Sequence, residues 1–385
     1  MSEPKDELAS QGPVIGSNVD LLATESAVDR AISAFPTIGR VLFWPDFNTV
    51  FDRFEQPANA SQKAGRRAGL ATIILGTLAL LASALAPIIG QGPDVFGLGR
   101  VTLIGIFAAG SGLMGVLVGS SALFGRAKLK WLSNRMMTER MRQFYFQVFP
   151  RRLPELVAAL QSEEGAETFH EARRKWLGAF RLRFEGHEQA ELTAAVSEDI
   201  SDEGWLHPLP ATTPKSLNKA ALDEVFAYYR HARIQHQINY TNYKLAPSSG
   251  GLSEIEKTKL FSQFSLISIS IIFGMYALWL GFTFFLFQGD EQSAMQAQFN
   301  TIANAVTLTL AILILAAHAL EEGLQPGLEV ERYRTYRASL RAAAARFDAA
   351  KSVKDKIAAM EQVEKLSFDE MCTFLTSQHE ARFRM

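Results

Sequence analysis

Phe261–Phe287 reads FSQFSLISISIIFGMYALWLGFTFFLF, with no Asp, Glu, Lys, Arg or His anywhere in it. A helix of that length rises about 40 Å at ~1.5 Å per residue, enough to cross the hydrocarbon of a bilayer. A core helix of a soluble protein would carry a charged stripe toward water, and this stretch has none. Three other stretches read the same way. Ala68–Gly90 and Val101–Phe124 are free of charge, and Phe299–Leu320 holds one titratable group, His318.

Whole-chain averages hide this segregation. A net charge of −1, 21 % charged residues and 48 % hydrophobic residues would suit a soluble globular protein. Cys372 is the single cysteine, which excludes an internal disulfide framework and a Cys-rich zinc site. Its plain reading is a spare thiol in a reducing compartment. Met1–Asp20 has neither a basic start nor an apolar core, so it does not read as a signal peptide, and its polarity predicts disorder.

The spans fall in pairs. Gln91–Arg100 joins the first two and Gln288–Gln298 the last two, and such short links predict antiparallel hairpins. Lys63, Arg66 and Arg67 precede the first span. Arg126, Lys128 and Lys130 follow the second, and Lys257 and Lys259 precede the third. Basic residues stay on the cytoplasmic side, so both links are expected outside and both termini inside. Trp279 sits in mid-span, away from the interfaces, and is expected to pack between helices.

The remainder reads as cytoplasmic helix. Leu129–Phe149 continues from the second span and is expected to stop at Pro150 and Pro154. Glu155–Gln161, Ala166–Glu185 and Leu217–Ala246 follow as helices. Between them Glu185–Gly204, rich in acids, and Pro208, Pro210 and Pro214 read as a linker dividing the chain into halves. PSSGG at Pro247–Gly251 interrupts the helix before the third span. After the fourth, Gly323, Pro326 and Gly327 mark a break, then helices to about Ala350 and from Ser352 onward. Val330, Tyr333, Arg337, Leu340, Ala344 and Phe347 form a heptad-like, coiled-coil-type seam.

The expected fold is therefore all-α and polytopic: four transmembrane helices as two hairpins with long cytoplasmic helical extensions. The expected divisions are a disordered start (1–20), an N-terminal helical region (21–67), the first hairpin (68–124) and a helical region with acidic linker (125–204). Then come a linker and pre-membrane helix (205–260), the second hairpin (261–320) and a C-terminal helical hairpin (321–385). Each half repeats one plan, a hairpin between cytoplasmic helices, without close sequence repetition.

Catalytic signatures are missing. The chain has no GxxxxGK[ST], HExxH or GxSxG and no paired Cys or His cluster. His231 and His236 are five apart, on different faces of a regular helix. His170, His187, His207 and His379 are isolated, and solvated histidines are the default reading. In the fourth span Asn300, Asn304, Thr307 and His318 share one face. Ser262, Ser265, Tyr276 and Thr283 form a similar face on the third. Such stripes line a wet path or hydrogen-bond to one another, and the second is the plainer reading. Ser111, Gly115 and Gly119 form a row of small residues that lets helices approach closely. Arg126–Arg183 is basic, including Arg173–Lys175, which next to a membrane points first to anionic lipid. No aromatic–basic platform for nucleic acid stands out.

The second half, from Leu217 to Met385, resembles the SLATT superfamily, two-transmembrane proteins of prokaryotic conflict systems. The resemblance rests on AYYRHARIQHQINYTNYKLA, where Tyr229, Arg233, Gln237, Tyr240 and Lys244 recur at steps of three and four before a membrane hairpin. The long helical tail, VERYRTYRASLRAAAARFDAA and LSFDEMCTFLTSQHEARFRM, is similar as well. The first hairpin is a looser version. The resemblance implies a non-enzymatic, cofactor-free effector in the inner membrane. It would perturb the bilayer, as a pore opened by a nucleotide-derived signal or a cytoplasmic signalling protein, and would work as a homo-oligomer. The doubled plan departs from the family's two spans and unsettles its subunit count. Two other readings stay open: a non-conducting scaffold that recruits a cytoplasmic partner, and an ion channel or transporter subunit.

Overall fold

The computed structural model describes residues 18–90, 99–124, 127–197, 204–207, 218–246, 254–285 and 293–380. Among them there is helix and turn but no strand. A 3₁₀ turn, Val19–Leu21, precedes α1 (Glu25–Ala34), α2 (Ile38–Leu42), α3 (Pro45–Ile89) and α4 (Arg100–Phe124). Next come α5 (Ala127–Arg151), α6 (Leu153–Ala159), α7 (Glu163–Phe184) and α8 (Glu188–Val196). Lys219–Tyr229 is α9, followed by a π turn, Arg230–Gln235, and α10, His236–Leu245. The chain ends with α11 (Glu254–Phe285), α12 (Ser293–Leu324), α13 (Pro326–Ala349) and α14 (Val353–Glu380).

Two compact units form. Unit 1 gathers Met1–Ala60, Leu129–Ser253 and Glu329–Glu380; unit 2 gathers Ser61–Lys128, Glu254–Leu328 and Ala381–Met385. The division therefore does not follow the two halves expected from the linker, because each unit draws on both.

Four helices are long and apolar enough to cross a membrane, within Pro45–Ile89, Arg100–Ser120, Lys259–Trp279 and Gln296–Ala349. In unit 2 large apolar side chains face outward: Val116, Leu266, Phe273 and Leu315 are all exposed. Its buried positions are mostly small, among them Ala84, Ala108, Ser111, Ser265, Ser268 and Ala305. That inversion suits a solvent as apolar as the side chains themselves, in which close backbone approach does the packing. Gly115 and Gly119 of α4 meet α3: a Cβ at Gly115 would lie 3.4 Å from the Gly76 nitrogen, and one at Gly119 would lie 2.9 Å from Thr72 Cγ2.

Unit 1 is built the other way round. Phe47, Phe51, Phe144, Phe146, Phe149, Phe180 and Phe184 are fully enclosed with Trp131, Tyr228 and Tyr229. Phe149 stacks on Tyr228 at 5.9 Å and 4°, and Phe180 meets Phe184 in a tilted contact at 4.6 Å and 38°. Val330, Tyr333, Leu340, Ala344 and Phe347 of the α13 seam are buried, while Arg337 reaches Asn242 Oδ1 at 3.3 Å.

Several local expectations need correction. Helix α5 runs through Pro150 to Arg151, and Pro154 lies in the first turn of α6. Proline at a helix start forgoes no bond, since those N–H groups have no partner within the helix. The acidic stretch read wholly as linker contains α8, which buries Leu192 and Ala195. Asn18–Asp20, the end of the stretch expected to be disordered, is folded, because Asp20 is drawn into the core by charge. The helix expected over Leu217–Ala246 is interrupted by the π turn.

Candidate functional site

The residues of unit 1 that stand apart are its buried charges. Arg233 is 2 % exposed and Glu364 is 0 % exposed. Their contact is bidentate, Nε to Oε1 at 2.9 Å and Nη2 to Oε2 at 2.7 Å. The Tyr229 hydroxyl donates to Glu364 Oε1 at 2.7 Å and lies 3.2 Å from the Met360 carbonyl. The guanidinium also rests on the Phe146 ring, 4.6 Å from its centroid. Two planar forks matched in this way give the strongest kind of side-chain hydrogen bond, with direction as well as charge.

The π turn sets this geometry. Tyr229 and Ile234 are five residues apart and both fully buried. On a regular α-helix they would stand about 140° apart at 3.6 residues per turn. The wider turn inserts a residue and brings both to the interior, with Arg233 between them. It also weakens the expectation that His231 and His236 lie on different faces. His231 lies beside Phe35, ring centroids 5.8 Å apart, and His236 Nε2 is 3.9 Å from Asp20 Oδ1.

A second string of charges runs along one face of α5. Arg135 pairs with Glu139 at 2.5 Å, Arg142 lies 3.6 Å from Glu139, and Arg142 Nε is 3.1 Å from Asp20 Oδ2. Burial alone would raise the carboxyls of Asp20 and Glu139. Neighbouring arginines, Arg142 for the first and Arg135 for the second, overcome that and hold both below the usual carboxylate range. A third group joins α13 to α14, where Arg332 bonds Glu329 at 2.7 Å and also pairs with Glu370. At Glu370 burial outweighs Arg332, and its pKa is raised. The three groups feel one another, since Arg233 helps lower Glu139, and Glu139 helps raise Glu370.

Arg140 is a buried cation of another kind. It donates to the carbonyls of Gly204 at 2.9 Å and Trp205 at 3.3 Å, and Gln147 Nε2 reaches Trp205 O at 2.7 Å. This fastens residues 204–207 onto α5. His207, expected to be solvated, is instead 3 % exposed, enclosed by Phe144, Phe180 and Phe184. Burial, with Arg140 adding to it, pushes His207 well below its ordinary pKa, and burial lowers Arg140 itself to about 9. Arg173, read from sequence as part of a lipid-facing basic run, is also buried. It donates to the carbonyls of Leu42 and Phe43, both at 3.2 Å, and lies over Trp44 at 4.8 Å.

No family model, curated protein or solved structure matches this chain.

The residues singled out before the membrane divide. Tyr229 and Arg233 form the buried centre just described, and Gln237 is half-buried. Tyr240 meets Tyr333 with ring centroids 6.2 Å apart, and Lys244 lies 5.5 Å above the Tyr240 ring. What the motif did not reveal was the acid, because Glu364 lies 131 residues further on.

In unit 2, α11 packs against α12. Trp279 Nε1 donates to Asn300 Oδ1 at 2.7 Å. Ser265 is buried and Tyr276 is 46 % exposed; the side chains of Ser262 and Thr283 lie outside the described residues. Thr307 is half-buried, whereas Asn304 and His318 are exposed. His318 Nδ1 lies 3.7 Å from Glu321. Ala305 and Ile312 are buried, about 120° around the helix from the centre of the polar stripe at ~100° per residue. Ser111, Gly115 and Gly119 are buried on α4. No group of three or more His, Cys, Asp or Glu able to hold a metal occurs among the described residues.

Proposed function

We propose that this chain is a membrane effector of a prokaryotic defence or stress system. Its four spans form two hairpins in the inner membrane, with unit 1 and both termini in the cytoplasm. Copies associate through unit 2 and open a path through the bilayer when a cytoplasmic signal acts on unit 1. The signal is a nucleotide or a partner protein, and the reading assigns no catalysis.

The observation that carries it is the exposure of Asn304 and His318 on one stripe of an otherwise apolar helix. Asn304, facing hydrocarbon, has no side-chain partner among the described residues, and a second copy or a water-filled path supplies one; His318, beside Glu321, continues the stripe toward the end of the span. The distribution of Lys and Arg around the spans supports the orientation. The SLATT resemblance of Leu217–Met385 supports the effector role.

A second reading, a non-conducting scaffold, is favoured by the Trp279–Asn300 bond, which uses one stripe residue inside the helix pair. Membrane potential separates the two. The protein is expressed in a bacterium and read with a voltage-sensitive dye, with and without candidate nucleotides and neighbouring gene products. The pore reading expects depolarisation that Asn304→Leu/His318→Leu abolishes at equal membrane levels and Trp279→Phe preserves. Unchanged potential under every condition favours the scaffold.

A further inference from the structure

One surface of unit 1 has the form of a ligand site. Helix α3 offers Asp46, Thr49 and Arg53, and α7 offers Arg174, Gly178 and Arg181, to a groove of about 340 Å³. Each helix contributes at steps of three and four, so a single face of each lines the groove for two turns, about 10 Å. Val50 and Leu177, 6 % exposed each, form its apolar floor.

The rim carries three guanidinium groups against one carboxylate. Arg181 is already held by Glu185, Nε to Oε1 at 2.6 Å. Arg53 and Arg174 enter no ion pair among the described residues and are exposed. The Thr49 hydroxyl donates to the Pro45 carbonyl, so the arginines are the donors facing the groove. The groove is also fixed in width. Arg173, beside Arg174 on α7, pins the carbonyls of Leu42 and Phe43 just before α3 begins.

We infer that this groove binds a phosphate-bearing ligand, whose oxyanion is held by Arg53 and Arg174. Guanidinium forks match phosphate oxygens two at a time, and the apolar floor accommodates the ester portion. A volume of this size suits a small molecule. The same chemistry belongs to a soluble phosphate ester and to an acidic lipid headgroup. The groove lies wholly in unit 1, so the inference stands independently of whether unit 2 conducts.

The test uses the full chain in uncharged detergent micelles, titrated with inorganic pyrophosphate and, separately, with short-chain phosphatidylglycerol or phosphatidylcholine. Two variants alter the groove: Arg53→Gln/Arg174→Gln removes its donors, and Gly178→Leu fills it. A Cβ at Gly178 meets nothing within 4 Å, so the filling variant leaves the helix undisturbed. Arg334→Gln/Arg341→Gln, exposed on α13, removes equal charge elsewhere. Saturable pyrophosphate binding that both groove variants weaken about tenfold or more, and the control leaves intact, establishes a soluble ligand. The same pattern for phosphatidylglycerol alone, with no response to phosphatidylcholine, establishes a lipid headgroup. Absence of binding to every probe, or equal weakening by the control, overturns the inference.

Discussion

Units 1 and 2 share one chain and invert each other's rules. Unit 1 encloses aromatic rings and paired charges, whereas unit 2 exposes its large apolar side chains and buries glycine, alanine and serine. Water expels apolar surface, so unit 1 gains by enclosing its rings, and any charge taken inside with them needs an exact partner. Lipid exerts no such pressure, so unit 2 is held by how closely its helices approach. A substitution should therefore have opposite consequences in the two places.

The largest effect is expected at the centre of unit 1. Glu364→Leu strands Arg233 as a buried cation and should cost about 3–5 kcal/mol of unfolding free energy in denaturant titration. Adding Arg233→Leu should return much of that loss, because a matched apolar pair has no charge to desolvate. A double variant no better than the single one would break the contrast.

Acid should act on unit 1 next. His207 has a folded pKa below its unfolded value, so its contribution is fully present above about pH 6.5 and is lost as pH falls. The slope is about 1.4 kcal/mol per pH unit for one proton. Asp20 and Glu139, also depressed, extend the loss below about pH 4. Glu370, raised by burial, acts in the opposite sense and at higher pH: its burial penalty is relieved as pH falls through its folded pKa, above the usual carboxylate range, before the loss from Asp20 and Glu139 sets in. Melting temperatures across pH 7 to 5 should fall less steeply in His207→Phe than in wild type.

In unit 2 the sensitive change is enlargement. Gly119→Leu, against Thr72, should destabilise by about 1–3 kcal/mol in micelles. Gly110→Ala, where a Cβ meets nothing within 4 Å, should be neutral or stabilising by up to about 1 kcal/mol. The smallest effect belongs to the surface of unit 1. Arg230→Gln breaks the solvent-facing pair with Asp348 and should change stability by less than about 1 kcal/mol.

The same contrast explains what the sequence made legible. Four spans could be read from the absence of charge, since a bilayer imposes its demand residue by residue. The α13 seam and the break before Pro326 were legible for a similar reason, because helix period and proline are local signals. The interior of unit 1 was not. Whether Arg173, Arg233 or His207 is buried depends on partners far along the chain, and a basic run looks alike solvated or enclosed. The π turn has no sequence signature here. Asp20 was assigned to disorder by its polar surroundings, although Arg142 draws it inward. Tyr229 and Arg233 were singled out by spacing, but nothing local named Glu364 as what they hold.

The pairing of Arg233 with Glu364 also bears on how the protein is made. Arg233 is synthesised before α11 and α12, and Glu364 after them. Until both of those helices have emerged and Glu364 has followed, the guanidinium lacks its bidentate partner and unit 1 cannot close. The order of translation thus imposes a sequence: the last two apolar helices are made before unit 1 can be completed. A ribosome stalled before residue 364 leaves that unit open.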